Sequence, residues 1–195
     1  GKYMLTIAGG LSVHFLIVLP LLFYFLTGIN PKKHFKAMAS ALATAFATSS
    51  SNATLPVTMR CVTQNAGVSN RVGSFVLPMG ATINMDGTAL YECAGVLFIS
   101  QILGIDLTIS MQFTIIITAL LASVGAAGIP SAGLVMIFIV TQAVGFQDAD
   151  VAVIIGTMLA VDRPLDMMRT MVNIFSDSIG ASVIAHSEGE KLYQD

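Results

Sequence analysis

Thr48-Ser49-Ser50-Ser51-Asn52-Ala53-Thr54 lies between two apolar arms, Ala37 to Ala47 and Leu55 to about Val68. At 1.5 Å per residue each arm covers only about half a bilayer, whose full span takes roughly 20 apolar residues. Small, mostly polar residues cannot face lipid, because their backbone N–H and C=O groups would go unpaired. A re-entrant helical hairpin over 37–68, its tip buried in protein, satisfies both conditions.

The composition agrees with a membrane setting. Of 195 residues, 55% are hydrophobic and 10% charged, with no Trp and a mean hydropathy of +0.82. A soluble domain carries about 25% charged residues. Uncharged runs reach 29 residues from Tyr3 to Pro31 and 41 from Leu107 to Gln147. An ordinary water-soluble domain and a disordered chain are both excluded. A net charge of −2 with no basic stripe excludes nucleic-acid binding. Cys61 and Cys93 sit in apolar sequence and read as small buried hydrophobes, with no disulfide framework or metal site. The chain opens on Gly1 and runs almost at once into apolar sequence, so a fragment without a cleavable signal peptide is expected.

Outward from the first hairpin, residues 1–28 read as one transmembrane helix with His14 as a hydrogen-bonded packing residue in its middle. Residues 29–36 hold three of the five lysines, and the positive-inside rule places this basic loop in the cytoplasm. A second hairpin is expected over 107–147, with a Gly- and Pro-broken tip from Ala122 to Ser131; two full spans would also fit its length. Each hairpin precedes a long apolar segment with polar residues at its centre. These are 72–105, containing Gly80 to Thr88, and the final helix 149–187, containing Asp162 to Asp177. With the tail 188–195, Arg71 and Lys191 inside, Asp106, Asp148 and Asp150 fall outside. Hairpin plus broken helix, twice over, predicts an all-α membrane protein: transmembrane helices plus two re-entrant hairpins in an inverted repeat.

Seven charges are expected at membrane depth: Asp86, Glu92, Asp162, Arg163, Asp166, Arg169 and Asp177, a formal −3. Ionisable residues there are costly and point to function. At about 100° per residue, Asp162, Asp166, Arg169, Thr170, Asn173 and Asp177 share one face of a helix. That stripe reads either as interhelical glue or as a ligand-and-ion site, and its three acids to one base favour the site. Arg169 offers a planar fork to a carboxylate. Asp166, three residues earlier, suits an ammonium, and Asp177 is far enough away to serve a separate cation. Asn84-Met85-Asp86-Gly87-Thr88 interrupts an apolar helix, as a packing kink or as an unwound stretch with Asn84 and Asp86 as hard oxygen ligands. Glu92 is either a structural hydrogen bonder or a protonatable carrier. Asn52-Ala53-Thr54 matches the N-glycosylation pattern by accident, and Asp86 with Asp166 makes a poor aspartyl protease, since that reading explains neither hairpin nor Arg169.

Four motifs together resemble the glutamate and aspartate transporter family, the dicarboxylate/amino-acid:cation symporters. They are Ser49-Ser50-Ser51 with Thr54-Leu55-Pro56-Val57-Thr58; Asn84-Met85-Asp86-Gly87-Thr88; Ala127-Gly128-Ile129-Pro130; and Asp166-Met167-Met168-Arg169-Thr170-Met171-Val172-Asn173. They run in family order over nearly the whole chain. The resemblance implies the C-terminal part of a transport domain, with the scaffold helices of a homotrimer lying elsewhere, in a multi-pass plasma-membrane protein that is not an enzyme. It implies Na⁺-coupled symport of an acidic amino acid, with a substrate-gated anion channel and neutral amino-acid or dicarboxylate transport as alternatives.

By motif position, Arg169 would hold the substrate side-chain carboxylate and Asp166 its amino group, with Thr170 and Asn173 on the head group. Ser50 and Ser51 would hold the α-carboxylate from one side, and Gly128 and Ile129 would close from the other, beside Met85 and Thr88. Na⁺ would fall on Gly80, Asn84, Asn173 and Asp177, and on Thr82, Ser123, Val124 and Ala126. A third set, Asn84 with Asp86, is incomplete within this chain. Glu92 matches the position of a glutamate in proton- and potassium-coupled members, which implies H⁺ cotransport and K⁺ countertransport. The chain departs from the family at Thr48 and Met167, where a second arginine is common; Arg163 is the candidate substitute, beside a Pro164 expected to kink the helix.

Overall fold

The structure is a computed structural model that describes residues 1–126, 128 and 130–193, with Asp148 described by its backbone. Ala127, Ile129, Gln194 and Asp195 lie outside the described residues. Those described form nine α-helices and two π-helical turns, with no strand.

One helix, Lys2–Thr27, is long and apolar enough to cross a membrane. It comprises α1 (Lys2–Val13), a π-helical turn (His14–Val18) and α2 (Leu19–Thr27). A π-turn inside an α-helix often marks a functional position, and here it carries His14. Asn30 then caps α3 (Pro31–Thr48), its side chain accepting from the Lys32 N–H at 3.0 Å. Pro31 fits the first turn, where no N–H partner is needed. The expected basic loop is therefore largely the opening of α3.

The first interruption is tighter than the seven polar residues predict. Ser49 takes a left-handed conformation (φ 51°), Ser50 is extended, and α4 (Ser51–Arg60) begins at once. The Ser50 hydroxyl accepts from the Ala53 N–H at 3.2 Å, an N-cap that satisfies one orphan donor. A π-turn (Cys61–Asn65) follows, and α4 packs back on α3 as a helical hairpin. The next break is equally short. α5 (Asn70–Ile83) stops at Asn84-Met85 and α6 (Asp86–Leu103) resumes. α7 (Ile109–Gly125) and α8 (Ala132–Ala143) form the second hairpin.

α9 (Asp148–Ser187) is one continuous helix of 40 residues with Pro164 inside it. Proline removes one hydrogen bond, to the carbonyl four residues earlier. Ala160 and Pro164 lie on an exposed face with Leu159 and Arg163. The polar stripe therefore sits on a single helix against which α1, α3, α5, α6 and α8 all pack. Arg163 is exposed. Its position, one residue past Asp162, turns it off the buried stripe.

Helix α6 approaches α9 most closely at Gly87. A Cβ there would lie 2.9 Å from Asn173 Oδ1 and 3.0 Å from the Arg169 carbonyl oxygen. The missing side chain is what lets the Gly87 N–H reach Asn173 Oδ1 at 2.9 Å.

Beyond α9 the tail folds back onto the segment 66–71. The Tyr193 N–H donates to Ala66 O at 2.9 Å, the Ser69 N–H to Glu190 Oε2 at 2.8 Å, and Arg71 pairs with Glu188. Hydrogen bonds from the Ser69 hydroxyl and the Ser69 N–H hold the Glu190 carboxyl below its ordinary range. Tyr193 is buried, with a left-handed backbone (φ 54°) that such contacts must hold in place. Ser178 Oγ donates to Phe175 O at 2.7 Å, so it accepts from His34 Nε2–H at 2.9 Å. His34 Nδ1 is then the acceptor for the Tyr193 hydroxyl at 2.5 Å.

Burial pushes the Tyr193 phenol up to about 12, partly offset by its hydrogen bond with Ser182. The raised value favours the neutral phenol in the folded state. Docking is therefore at full strength below the ordinary tyrosine value of about 10 and weakens as pH climbs from there toward 12. Tyr193→Phe is expected to lower stability by about 1–2 kcal/mol, by leaving His34 Nδ1 unpaired. It should also remove one high-pH tyrosinate from a spectrophotometric titration compared with the unmodified protein.

Candidate functional site

The two hairpin tips meet. The Ser50 hydroxyl donates to Gly128 O at 2.6 Å, and the Asn52 N–H donates to the same oxygen at 3.4 Å. Beneath them is a cavity of about 10 Å³, room for about one water. Of the residues expected to hold a substrate, Ser51, Met85, Thr88, Gly128, Asp166, Arg169, Thr170 and Asn173 line it. Ser50 braces the tips from beside it, and Ile129 lies outside the described residues. Ser49, which belongs to the first motif, Ala126, Ala132 and Gly133 line the cavity as well. The reading of the residues passed over Ala132 and Gly133 because they carry no polar side chain.

Three helices, α4, α6 and α8, begin at this cavity. Helix N-termini present unpaired N–H groups and the positive end of the helix dipole, which favours an anionic ligand. The floor is Arg169, 3% exposed. Its Nη2 pairs with Asp166 Oδ1, its Cζ sits 4.5 Å from the centroid of the Tyr91 ring, and its Nη1 is buried with no hydrogen-bond partner. Asp166 Oδ2 accepts the Ser131 N–H at 2.9 Å, which ties α9 to the tip of the second hairpin. Ser131 itself is left-handed, with φ 61°.

Behind Arg169, the Tyr91 hydroxyl donates to Asp162 Oδ1 at 2.8 Å while Asp162 Oδ2 is unpaired. Glu92 is 0% exposed and neither of its carboxylate oxygens has a hydrogen-bond partner. The buried acids are Glu92, Asp162, Asp166 and Asp177 against Arg169 alone, a formal −3, with Asp86 partly exposed beside His14.

The proposed ion ligands are brought together unevenly. Asn84 Nδ2 donates to Asp177 Oδ1 at 2.8 Å, and a Cβ on Gly80 would lie 2.5 Å from that same oxygen. Gly80, Asn84 and Asp177 thus form one cluster at the end of α5. Asn173 is committed to the start of α6, its Oδ1 holding the Gly87 N–H and its Nδ2 donating to Thr88 Oγ1 at 3.0 Å. Asn84 and Asp86 are joined through Ser176, whose hydroxyl accepts from Asn84 Nδ2 at 2.7 Å and donates to Asp86 Oδ1 at 2.8 Å. The set Thr82, Ser123, Val124 and Ala126 spans α5 and α7, which pack together. Thr82 Oγ1 donates to Met79 O and Ser123 Oγ to Leu120 O; among the described residues no hydrogen bond links the four.

His14 was read from sequence as a hydrogen-bonded packing residue, and it is hydrogen-bonded. Its partner is Asp86, with Nε2 2.6 Å from Oδ2, which attaches the first helix directly to the Asp86–Ser176–Asn84 network. Ser176 and Tyr91 were missed; the spacing places Ser176 beside Asp177, but its neighbours lie on α5 and α6.

Comparison with known proteins agrees with this arrangement. The model of the sodium:dicarboxylate symporter family matches residues 1–187. Over 194 residues the chain is 50% identical to excitatory amino acid transporter 3 of Mus musculus, covering 100% of this chain and 36% of that protein. Identity is 48% over 184 residues to an excitatory amino acid transporter of Caenorhabditis elegans, covering 94% of this chain and 36% of that protein. It is 48% over 186 residues to excitatory amino acid transporter 5 of Homo sapiens, covering 95% and 32% respectively. The chain spans about a third of the length of these curated relatives. The hairpin tips, the interrupted helix and the Asp166 to Asn173 stripe all fall inside the matched segment, and this membrane-embedded chain belongs to the sodium:dicarboxylate symporter family.

Proposed function

We propose that the chain is the substrate- and cation-binding part of a secondary transporter, not an enzyme, that carries an acidic amino acid together with Na⁺ across the plasma membrane. The observation that carries this reading is Arg169: a buried guanidinium with one nitrogen unpaired, at the floor of a cavity where three helices begin. In a family named for sodium and dicarboxylates, that fork suits a side-chain carboxylate. Asp166, which now pairs with Arg169, turns to the substrate ammonium when the carboxylate takes the guanidinium. Thr170, Asn173, Ser51 and the tip around Gly128 and Ile129 hold the head group, with Met85 and Thr88 at the side.

The cavity of about 10 Å³ is far smaller than an acidic amino acid. Entry therefore parts the tips, and in this reading the tip of α7–α8 is what moves, since Gly128 and Ser131 tie it to Ser50 and Asp166 by hydrogen bonds that can be broken while the arms stay packed on α6. In this reading α3–α4 and α7–α8 are the re-entrant hairpins of an inverted repeat within a multi-pass protein. Segments outside this chain supply the scaffold of a homotrimer and the rest of the third Na⁺ set. An acidic substrate would take the buried formal charge from −3 to −4, which is untenable without bound cations. Na⁺ at Gly80, Asn84, Asn173 and Asp177, and at Thr82, Ser123, Val124 and Ala126, offsets it. Glu92, buried and unpaired, carries the cotransported proton and is the acid freed for K⁺ on the return.

The test is uptake of radiolabelled aspartate and glutamate by proteoliposomes carrying the protein. Accumulation that requires an inward Na⁺ gradient is the expected result. Anion current without accumulation would turn the reading into a substrate-gated channel, and uptake of neutral amino acids alone would remove the role given to Arg169.

A further inference from the structure

Arg169 fits where it does because one neighbour has no side chain. Gly133, in the first turn of α8, faces the guanidinium. A Cβ built on Gly133 would lie 3.0 Å from Arg169 Cζ, closer still to Nη1, and 3.3 Å from Thr88 Cγ2. Carbon atoms in contact sit about 3.5–4.0 Å apart, so something must shift. Thr88 and Tyr91 flank the guanidinium from α6, Asp166 grips it from α9, and the Arg169 side chain is only 4% exposed. Displacing it inward presses it on Tyr91; displacing it outward breaks the pair with Asp166.

We propose that Gly133 is a specificity-determining residue, whose missing side chain is the space that the Arg169 guanidinium occupies. The preference for a side-chain carboxylate then belongs to a pair, one residue on α9 and one on the second hairpin. The inference rests on the acidic-substrate reading of Arg169. It extends that reading in one respect: the part of the moving hairpin that closes over the ligand also fixes the specificity group. A ligand is recognised as acidic only when α8 sits close enough for Gly133 to confine the fork. A neutral ligand does not use the guanidinium that Gly133 confines, because Asp166, Thr170 and Asn173 hold its head group.

Four proteins in proteoliposomes separate the outcomes: unmodified, Gly133→Ala, Arg169→Cys and the double variant. The readout is Na⁺-dependent binding of aspartate, glutamate, serine and alanine. Gly133→Ala alone is expected to weaken acidic-substrate binding ~100-fold, as loss of a charge-assisted fork requires. In the Arg169→Cys background the same change should alter serine and alanine binding by less than ~2-fold, since the clash has no partner left. The inference is overturned if Gly133→Ala keeps acidic selectivity. Equal damage by Gly133→Ala with and without Arg169 also overturns it, because the added methyl would then harm the hairpin and not the arginine. If the unmodified protein binds no acidic substrate, or Arg169→Cys leaves aspartate binding unchanged, the functional reading itself fails, a result distinct from the other two.

Discussion

Aspartate binding by Arg169→Cys is expected to fall by about 30- to 4,000-fold, the equivalent of 2–5 kcal/mol for truncating one member of a buried, hydrogen-bonded charge pair. The range is wide because two effects combine. The substrate loses its carboxylate partner, and Asp166 keeps only the Ser131 N–H. The buried formal charge also passes from −3 to −4 before any substrate arrives, so an anion is repelled by Asp162 as well. Neutral amino acids should be affected far less. The measurement is equilibrium binding of labelled aspartate in saturating Na⁺, and survival of Na⁺-dependent aspartate binding would remove Arg169 from the site.

Asp177→Asn has an effect with two signs. Asp177 is 4% exposed and its Oδ1 sits against Gly80 and the Asn84 amide. Without Na⁺ its charge is uncompensated, so the amide should raise the Tm measured in choline chloride. With Na⁺ the order reverses. A ligand present at 100 times its Kd stabilises by about 2.7 kcal/mol, and an amide in place of the carboxylate forfeits most of that for one site. Thermal denaturation in NaCl and in choline chloride reads both. A Na⁺-dependent gain in Tm equal to that of the unmodified protein would place the cation elsewhere.

Sequence carried the local part of this architecture well. The Asp166 to Asn173 stripe was legible because helical periodicity alone puts those side chains on one face, and the unbroken α9 keeps them there. The two tips were legible because polar backbone inside apolar sequence has nowhere to go but protein. What stayed hidden depends on partners distant in sequence. His14 meets Asp86 72 positions away, Tyr91 meets Asp162 71 away, and Ser176 bridges residues some 90 earlier.

The docked tail has a consequence for biosynthesis. His34 needs Ser178, 144 residues later, and Tyr193, 159 residues later, before both of its ring nitrogens are satisfied. A ribosome adding about 5–20 residues per second takes roughly 8 to 32 s to cover that interval. Throughout it the first hairpin carries a polar side chain without partners at its base, a ready substrate for insertion chaperones. The first hairpin of this chain is thus among its last elements to be completed, and premature termination before Tyr193 strands it half-finished.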